Sequence, residues 1–276
     1  MIAFFEPLIN PIFLPVLTAA LFASVVGGVM GSFVVIRRMS SLAGSISHAL
    51  LGGLGICLWA ERVMGYFCPP IIGALLAALL AAFIITYLKH HHKEREDAAI
   101  SAVWSIGMAI GLVFISKTPG YNVELLNYLV GNILWSSPED VVGLLILATL
   151  ICLFIAALFQ PLVALAFDEE QAKLQGIPTE KLDYALTALV AVTVVILMSV
   201  VGAILVIAML TLPAMTAALI SRRFSSMILI SIGCSIVAFL VGFLSSYHLD
   251  WPLGATTSLS SALLYGIALT LHSKAV

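Results

Sequence analysis

Long uncharged stretches alternate with short charged ones along this chain. Residues 13–36, 42–60, 63–88, 98–116, 141–167, 184–221, 224–249 and 251–273 contain no Asp, Glu, Lys or Arg. Each reaches or approaches the roughly 20 apolar residues that cross a bilayer's hydrocarbon core. The stretch 184–221 is 38 residues long, about 57 Å as one helix, whereas the core is only about 30 Å thick. It is therefore expected to form two spans joined by a tight turn near Ser199 to Gly202. The pattern predicts an all-α integral membrane protein, a polytopic bundle of about nine transmembrane helices (eight to ten).

The charges between the spans orient it. If the spans alternate, Arg37, Arg38, Lys89, Lys93, Arg95, Lys173, Lys181, Arg222, Arg223 and Lys274 fall on one side, and only Arg62 and Lys117 on the other. Basic loops stay cytoplasmic, so the N-terminus is expected outside and the C-terminus inside. Trp59, Tyr66, Tyr121, Tyr128, Trp135, Tyr247 and Trp251 then gather at the outer interface, with Tyr87 and Tyr184 at the inner one. The first apolar stretch has no basic leader or small-residue cleavage site and reads as a retained span. Segment 125–135 is apolar but too short to span, and is expected to lie in the outer interface or re-enter the membrane. Gly27/Gly31 and Gly107/Gly111 are small-residue pairs that let helices approach closely.

Composition narrows the function. The chain is 62% hydrophobic and 9% charged, with mean hydropathy +1.17, far from the roughly 25% charged residues of globular domains. A net charge of −2 gives no reason to expect a nucleic-acid partner. Cys57, Cys68, Cys152 and Cys234 show no C-x-x-C spacing, so neither a disulfide framework nor a thiolate metal site is expected. With no G-x-x-x-x-G-K-[ST] loop, the chain is expected to hydrolyse no nucleotide itself.

Candidate chemistry lies in intramembrane polar groups and loops. An ionisable residue inside the membrane is costly, so His48 stands out. Gly44, Ser47 and His48 can share a helical face, and a neutral imidazole there can bind a divalent transition metal or simply hydrogen-bond a neighbouring helix. His248 and Asp250 form a second candidate at the outer end of a span, where Asp250 either attracts cations or caps the following helix. Outer acids (Glu6, Glu61, Glu124, Glu139, Asp140, Asp250) outnumber the outer basic residues, which favours cations. His90, His91 and His92 read as part of a solvated loop from Lys89 to Asp97. In segment 167–178, Asp168 can cap a short helix that Gly176 ends, giving either an ordinary connector or a docking helix for a cytoplasmic partner.

Several motifs, in order, carry a resemblance. Phe167-Asp168-Glu169-Glu170-Gln171-Ala172-Lys173-Leu174-Gln175-Gly176-Ile177 resembles the "FD-x-E-x-A-x-x-x-G-I" segment of permease subunits in metal-type ABC importers. Glu96-Asp97-Ala98, Tyr128-Leu129-Val130-Gly131, Val200-Val201-Gly202, Leu212-Pro213-Ala214 and Leu249-Asp250-Trp251-Pro252-Leu253-Gly254-Ala255-Thr256 are similar to further motifs of that family. The likeness runs over nearly the whole chain. It implies a single permease domain over residues 1–276 with a type II ABC importer-like fold, in a bacterial plasma (inner) membrane. It also implies a second permease chain, identical or related, a cytoplasmic ABC ATPase and an extracytoplasmic metal-binding protein. The cargo would be manganese, zinc or iron, with no permanently bound cofactor. His48, Ser47, Asp250 and His248 would belong to the transport pathway. Asp168, Glu169, Ala172, Gly176 and Ile177 would couple to the ATPase. One departure is plain: where the family motif resembles "G-D-A-x-S-H-A", this chain has Gly44 in place of the aspartate. A permease for an organic or chelated substrate such as a siderophore or vitamin is the first alternative. An ion-coupled secondary transporter is a second, disfavoured because the uncharged spans offer no coupling carboxylate.

Overall fold

The computed structural model describes residue 7, residues 10–91, 96–120, 131, 133 and 136–273. Among them are helices α1 (Leu14–Ile36), α2 (Ser40–Trp59), α3 (Pro70–His91), α4 (Glu96–Ser116), α5 (Pro138–Ala157), α6 (Phe159–Phe167), α7 (Glu169–Leu174), α8 (Thr179–Val201), α9 (Ala203–Ile220), α10 (Phe224–Leu249) and α11 (Leu253–Ser273). All but α6 and α7 are long and apolar enough to span a membrane, so the described residues contain nine candidate spans. The 125–135 segment, like Tyr121, His92 and Lys274, lies wholly or mostly outside the described residues.

The breaks refine the expected boundaries. The stretch 184–221 divides at Gly202, whose φ of +83° is a left-handed conformation that glycine adopts without a Cβ penalty. The stretch 141–167 divides at Leu158 into α5 and α6. After Trp59 the chain continues through a wide helical turn, Ala60–Met64, closed by Gly65 at φ +72°. The third span therefore starts at Pro70 rather than near residue 63. Ser137 begins α5 with a reciprocal capping box: Ser137 Oγ accepts from the Asp140 N–H at 3.2 Å, and Asp140 accepts from the Ser137 N–H at 2.9 Å. Asp140 is thereby used in a cap, which satisfies donors the helix start would otherwise leave open.

The chain forms two compact units. The first takes in α1, α5, the last six residues of α8, and α9–α11. Here α1 lies against α9 and α10 through its glycines: a Cβ on Gly31 would come within 2.7 Å of the Leu210 carbonyl oxygen, and one on Gly28 within 2.7 Å of the Ile232 backbone. Ala214, Ala217 and Met227 form a buried cluster flanked by Val35, Ile36 and Phe224. Gly131, at φ +80°, sits so close to Val201 and Gly202 that a side chain would strike the Val201 carbonyl.

The second unit takes in α2–α4, most of α6, α7 and the larger part of α8. Helix α2 is its centre. It meets α3 where Gly53 and Gly73 face each other so tightly that a Cβ on either would enter the other's carbonyl oxygen. It meets α4 at Gly52/Gly107 and Gly55/Gly111, and the buried Ser45 hydroxyl donates to the Ile100 carbonyl at 2.8 Å. Such small-residue contacts suit membrane interiors, where association depends on close van der Waals approach. A disulfide joins Cys57 near the end of α2 to Cys68 in the following loop. This corrects the expectation from spacing: the turn after α2 folds the chain back and brings together two cysteines 11 residues apart.

Candidate functional site

Helix α2 presents Gly44 and His48, one turn apart, on a half-exposed face. A side chain at Gly44 would meet nothing within 4 Å. The His48 imidazole stacks flat on the Trp104 indole of α4, with ring centroids 4.7 Å apart and planes 4° from parallel. Trp104 Nε1–H in turn donates to the Met108 sulfur at 2.9 Å. Trp104 thus fixes the ring plane of His48, a role with no signature in local spacing because it depends on how α2 and α4 pack. Ser47 does not join this face. It is fully buried, and its hydroxyl donates to the Gly44 carbonyl at 2.7 Å.

Asp250 and His248 belong to the other unit. Asp250 ends α10 in a left-handed conformation (φ 53°), its N–H donating to the Ser246 carbonyl. It is thus the terminal residue of the preceding helix rather than a cap of the following one. It borders a cavity of about 520 Å³ together with Phe13, Phe243, Ser246, Tyr247 and Trp251. His248 is exposed, its ring edge-to-face with Tyr247 at 5.3 Å. Among the described residues, no three His, Cys, Asp or Glu side chains converge to hold a metal ion. Among the described residues, the exposed face of α2 near Gly44 therefore carries the His48 imidazole, held by Trp104, with open space beside it.

The 167–178 segment forms the helix expected of it. Asp168 accepts from the Gln171 N–H at 2.8 Å as N-cap. Lys173 donates to Glu169 at 2.9 Å. That hydrogen bond, with the charges of Glu169, Glu170 and Glu180, holds the Lys173 ammonium above its ordinary pKa, although a pair this exposed contributes little stability. Ala172 is 1% exposed and its carbonyl accepts from the Ile177 N–H at 3.1 Å. Gly176 closes the helix at φ +79°, the left-handed stop that ends many helices. Sequence reasoning passed over the apolar ends of this element: Phe167 is 62% and Leu174 89% exposed.

The histidine run departs from the expected loop. His90 and His91 complete the last turn of α3, and Lys89 and His90 both reach Asp183 on α8, at 2.8 and 3.1 Å. Asp183 is fully buried. It lies inside α8, one residue before the uncharged stretch begins, so this spanning helix does carry a carboxylate.

A family model described as "ABC 3 transport family" matches residues 10–272. The chain belongs to this family. It is similar to a "Probable metal transport system membrane protein" of Chlamydia pneumoniae, with 39% identity over 95% of this chain and 90% of that protein. It is also similar to the "Manganese transport system membrane protein MntC" of Halalkalibacterium halodurans, with 30% identity over 98% and 91%. Among solved structures it resembles PsaBC from Streptococcus pneumoniae in complex with a Fab, with a TM-score of 0.83 and 32% identity over 97% of this chain and 95% of that one. The nine spans and the family together make it a multi-span helical membrane protein of the ABC transport class.

Proposed function

We propose that the chain is the permease subunit of an ATP-driven importer for a divalent transition metal: manganese, zinc or iron. Membership of the ABC 3 transport family carries this reading, and the metal-transport names of two relatives support it. The 276 residues act as a single permease domain, paired with a second permease chain. A separate cytoplasmic ABC ATPase hydrolyses the nucleotide, and an extracytoplasmic binding protein delivers the metal. The N-terminus lies outside and the C-terminus inside, which puts α7 and the basic ends of α1, α3 and α9 on the cytoplasmic side.

Each residue then has a part. His48 is a transient metal ligand, held in plane by Trp104 and binding weakly enough to release its cargo. Ser47 shapes that turn of α2 through its bond to Gly44. Asp250, with His248 beside it, draws cations to the outer mouth. Asp168, Glu169, Ala172, Gly176 and Ile177 build the coupling helix, and the exposed Phe167 and Leu174 are its grip for the ATPase.

The test is uptake of manganese, zinc and iron tracers by the complete transporter in proteoliposomes, with ATP inside the ATPase-facing compartment. Gly176→Pro is expected to abolish uptake, because proline cannot adopt φ +79° and the exit from α7 must change. Asp168→Ala removes a cap worth about 1 kcal/mol and is expected to lower uptake severalfold with unchanged membrane expression. Wild-type uptake in both variants would refute the coupling role, and uptake of none of the three metals would refute the metal reading.

The loss of the family carboxylate at Gly44 favours one second reading: a chelated metal that asks for fewer protein ligands. Gly44→Asp separates the two. The new carboxylate enters open space one turn from His48, so for a bare-ion transporter it is expected to lower KM for the metal about tenfold, one ligand's worth of affinity at about 1.4 kcal/mol. For a chelate transporter it would leave bare-metal uptake absent.

A further inference from the structure

We propose that the Lys89–His90–Asp183 cluster is a strut that makes α3, and with it the His48-bearing α2, follow α8 when α7 is displaced. The inference rests on the coupling role proposed for α7 and concerns a part of the chain that role does not use. Asp183 is fully buried, and neighbouring residues of one helix converge on a single carboxylate oxygen, Oδ2: the Lys89 ammonium at 2.8 Å and His90 Nε2 at 3.1 Å. Two donors on one acceptor fix both the height and the rotation of the last turn of α3 against α8. The same end is braced by rings, Phe83 to Tyr184 at 5.6 Å and His90 to Tyr184 at 5.8 Å. A charge pair withdrawn from water resists separation, because parting it leaves buried charge uncompensated. The helices it joins therefore move together.

The mechanical line is short from α7 to the end of α3. Only residues 175–178 separate α7 from α8, and they are tied by bonds from Gly176 N to Lys173 O at 3.0 Å, Ile177 N to Ala172 O at 3.1 Å and Thr179 N to Ile177 O at 2.8 Å. Thr179 is buried, and Asp183 follows it by about one helical turn. From Asp183 the line passes to Lys89 and His90, along α3 to the Gly73–Gly53 contact, and so to α2. All of it lies within one compact unit.

The assembled transporter, with its ATPase and binding protein, is reconstituted with Mn2+ as probe, and manganese moved is counted against ATP hydrolysed. In Asp183→Asn and in Lys89→Met, manganese per ATP is expected to fall at least tenfold while ATP hydrolysis stays within twofold of wild type. The double variant is expected to match the singles, and Lys89→Arg to retain coupling. A purely structural cluster would lower the yield of folded transporter and leave manganese per ATP unchanged in what folds, which would overturn the proposal. A second readout needs no cargo. With Cys152 and Cys234 replaced by serine, spin labels on Gln171→Cys in α7 and Leu80→Cys in α3, both exposed positions, are expected to keep one separation through the ATP cycle. With Asp183→Asn added, that separation should change on ATP binding. Equal behaviour with and without Asp183 would overturn the strut. A wild-type complex that moves no manganese yet shows the Asp183-dependent separation would support the strut and count against manganese as cargo.

Discussion

His48→Ala is expected to lower metal uptake by at least about tenfold, with little loss of folded protein. The imidazole is the one nitrogen donor that the half-exposed face of α2 presents, and the stack on Trp104 holds its plane. In the proposed role, removing it takes away a metal ligand whose contribution of about 1.4 kcal/mol or more equals a tenfold change in affinity. The side chain is only half-buried, so its loss leaves no sealed cavity of the kind that destabilises cores. Trp104→Leu is expected to give a milder form of the same defect, a raised KM with intact maximal uptake, because the ligand remains but its orientation is no longer held. The measurement is tracer uptake against metal concentration, alongside size-exclusion profiles of the purified complex. Unchanged KM and maximal rate in His48→Ala would remove His48 from the pathway.

Gly53→Ala is expected to destabilise the fold strongly. Its Cβ would enter the Gly73 carbonyl oxygen and lie 2.8 Å from the Ala77 Cβ, and Gly73→Ala would meet Gly53 and come within 2.7 Å of Cys57 Sγ. Overpacking usually costs about 1–3 kcal/mol and sometimes more. With backbone as the obstacle, neither helix can yield by changing a rotamer, so the upper end applies. At roughly 2–4 °C per kcal/mol for a chain of this size, Tm should fall by about 6–12 °C. Gly143→Ala in α5 is the matched control. Its Cβ meets nothing within 4 Å, and alanine favours a helix over glycine by about 1 kcal/mol, so that variant should be neutral or slightly stabilised. Thermal unfolding in detergent, followed by tryptophan fluorescence, reads both. Equal Tm values for the two variants would show that α2 and α3 do not meet at these glycines.

The spans were legible because each is a local property: about 20 uncharged residues in a row must form a helix in lipid, whatever surrounds them. The split at Gly202 was legible from length, since one 38-residue helix overruns the bilayer. The α7 element was legible for the same kind of reason, because Asp168 and Gly176 act on backbone groups within a few residues of themselves. The errors share the opposite character. Ser47 was grouped with His48 by spacing, but which side of α2 faces inward depends on where α3 and α4 pack. Cysteine spacing predicted no disulfide, yet the turn after Trp59 brings Cys57 and Cys68 together. Lys89 and His90 read as solvated charge because their partner is 93 or 94 positions further along the chain.

The sequence by itself determined that this is a many-span helical membrane protein with a short capped helix over 169–174. Its ordered motifs pointed to the permease subunits of metal-type ABC importers, and the chain belongs to the ABC 3 transport family. These properties follow from the hydropathy of contiguous residues and from short-range backbone chemistry. Only the tertiary structure decided that His48 lies flat on Trp104 beside open space at Gly44, and that Gly53 and Gly73 bring α2 onto α3. The burial of Asp183 beneath Lys89 and His90 was decided there too. Each of these depends on which helix faces meet, and in a chain apolar on nearly every face, hydropathy does not distinguish one face from another. The close approach of small residues does: the pairs Gly27/Gly31 and Gly107/Gly111 were marked in the sequence, but which helix each meets becomes visible only when the helices are assembled.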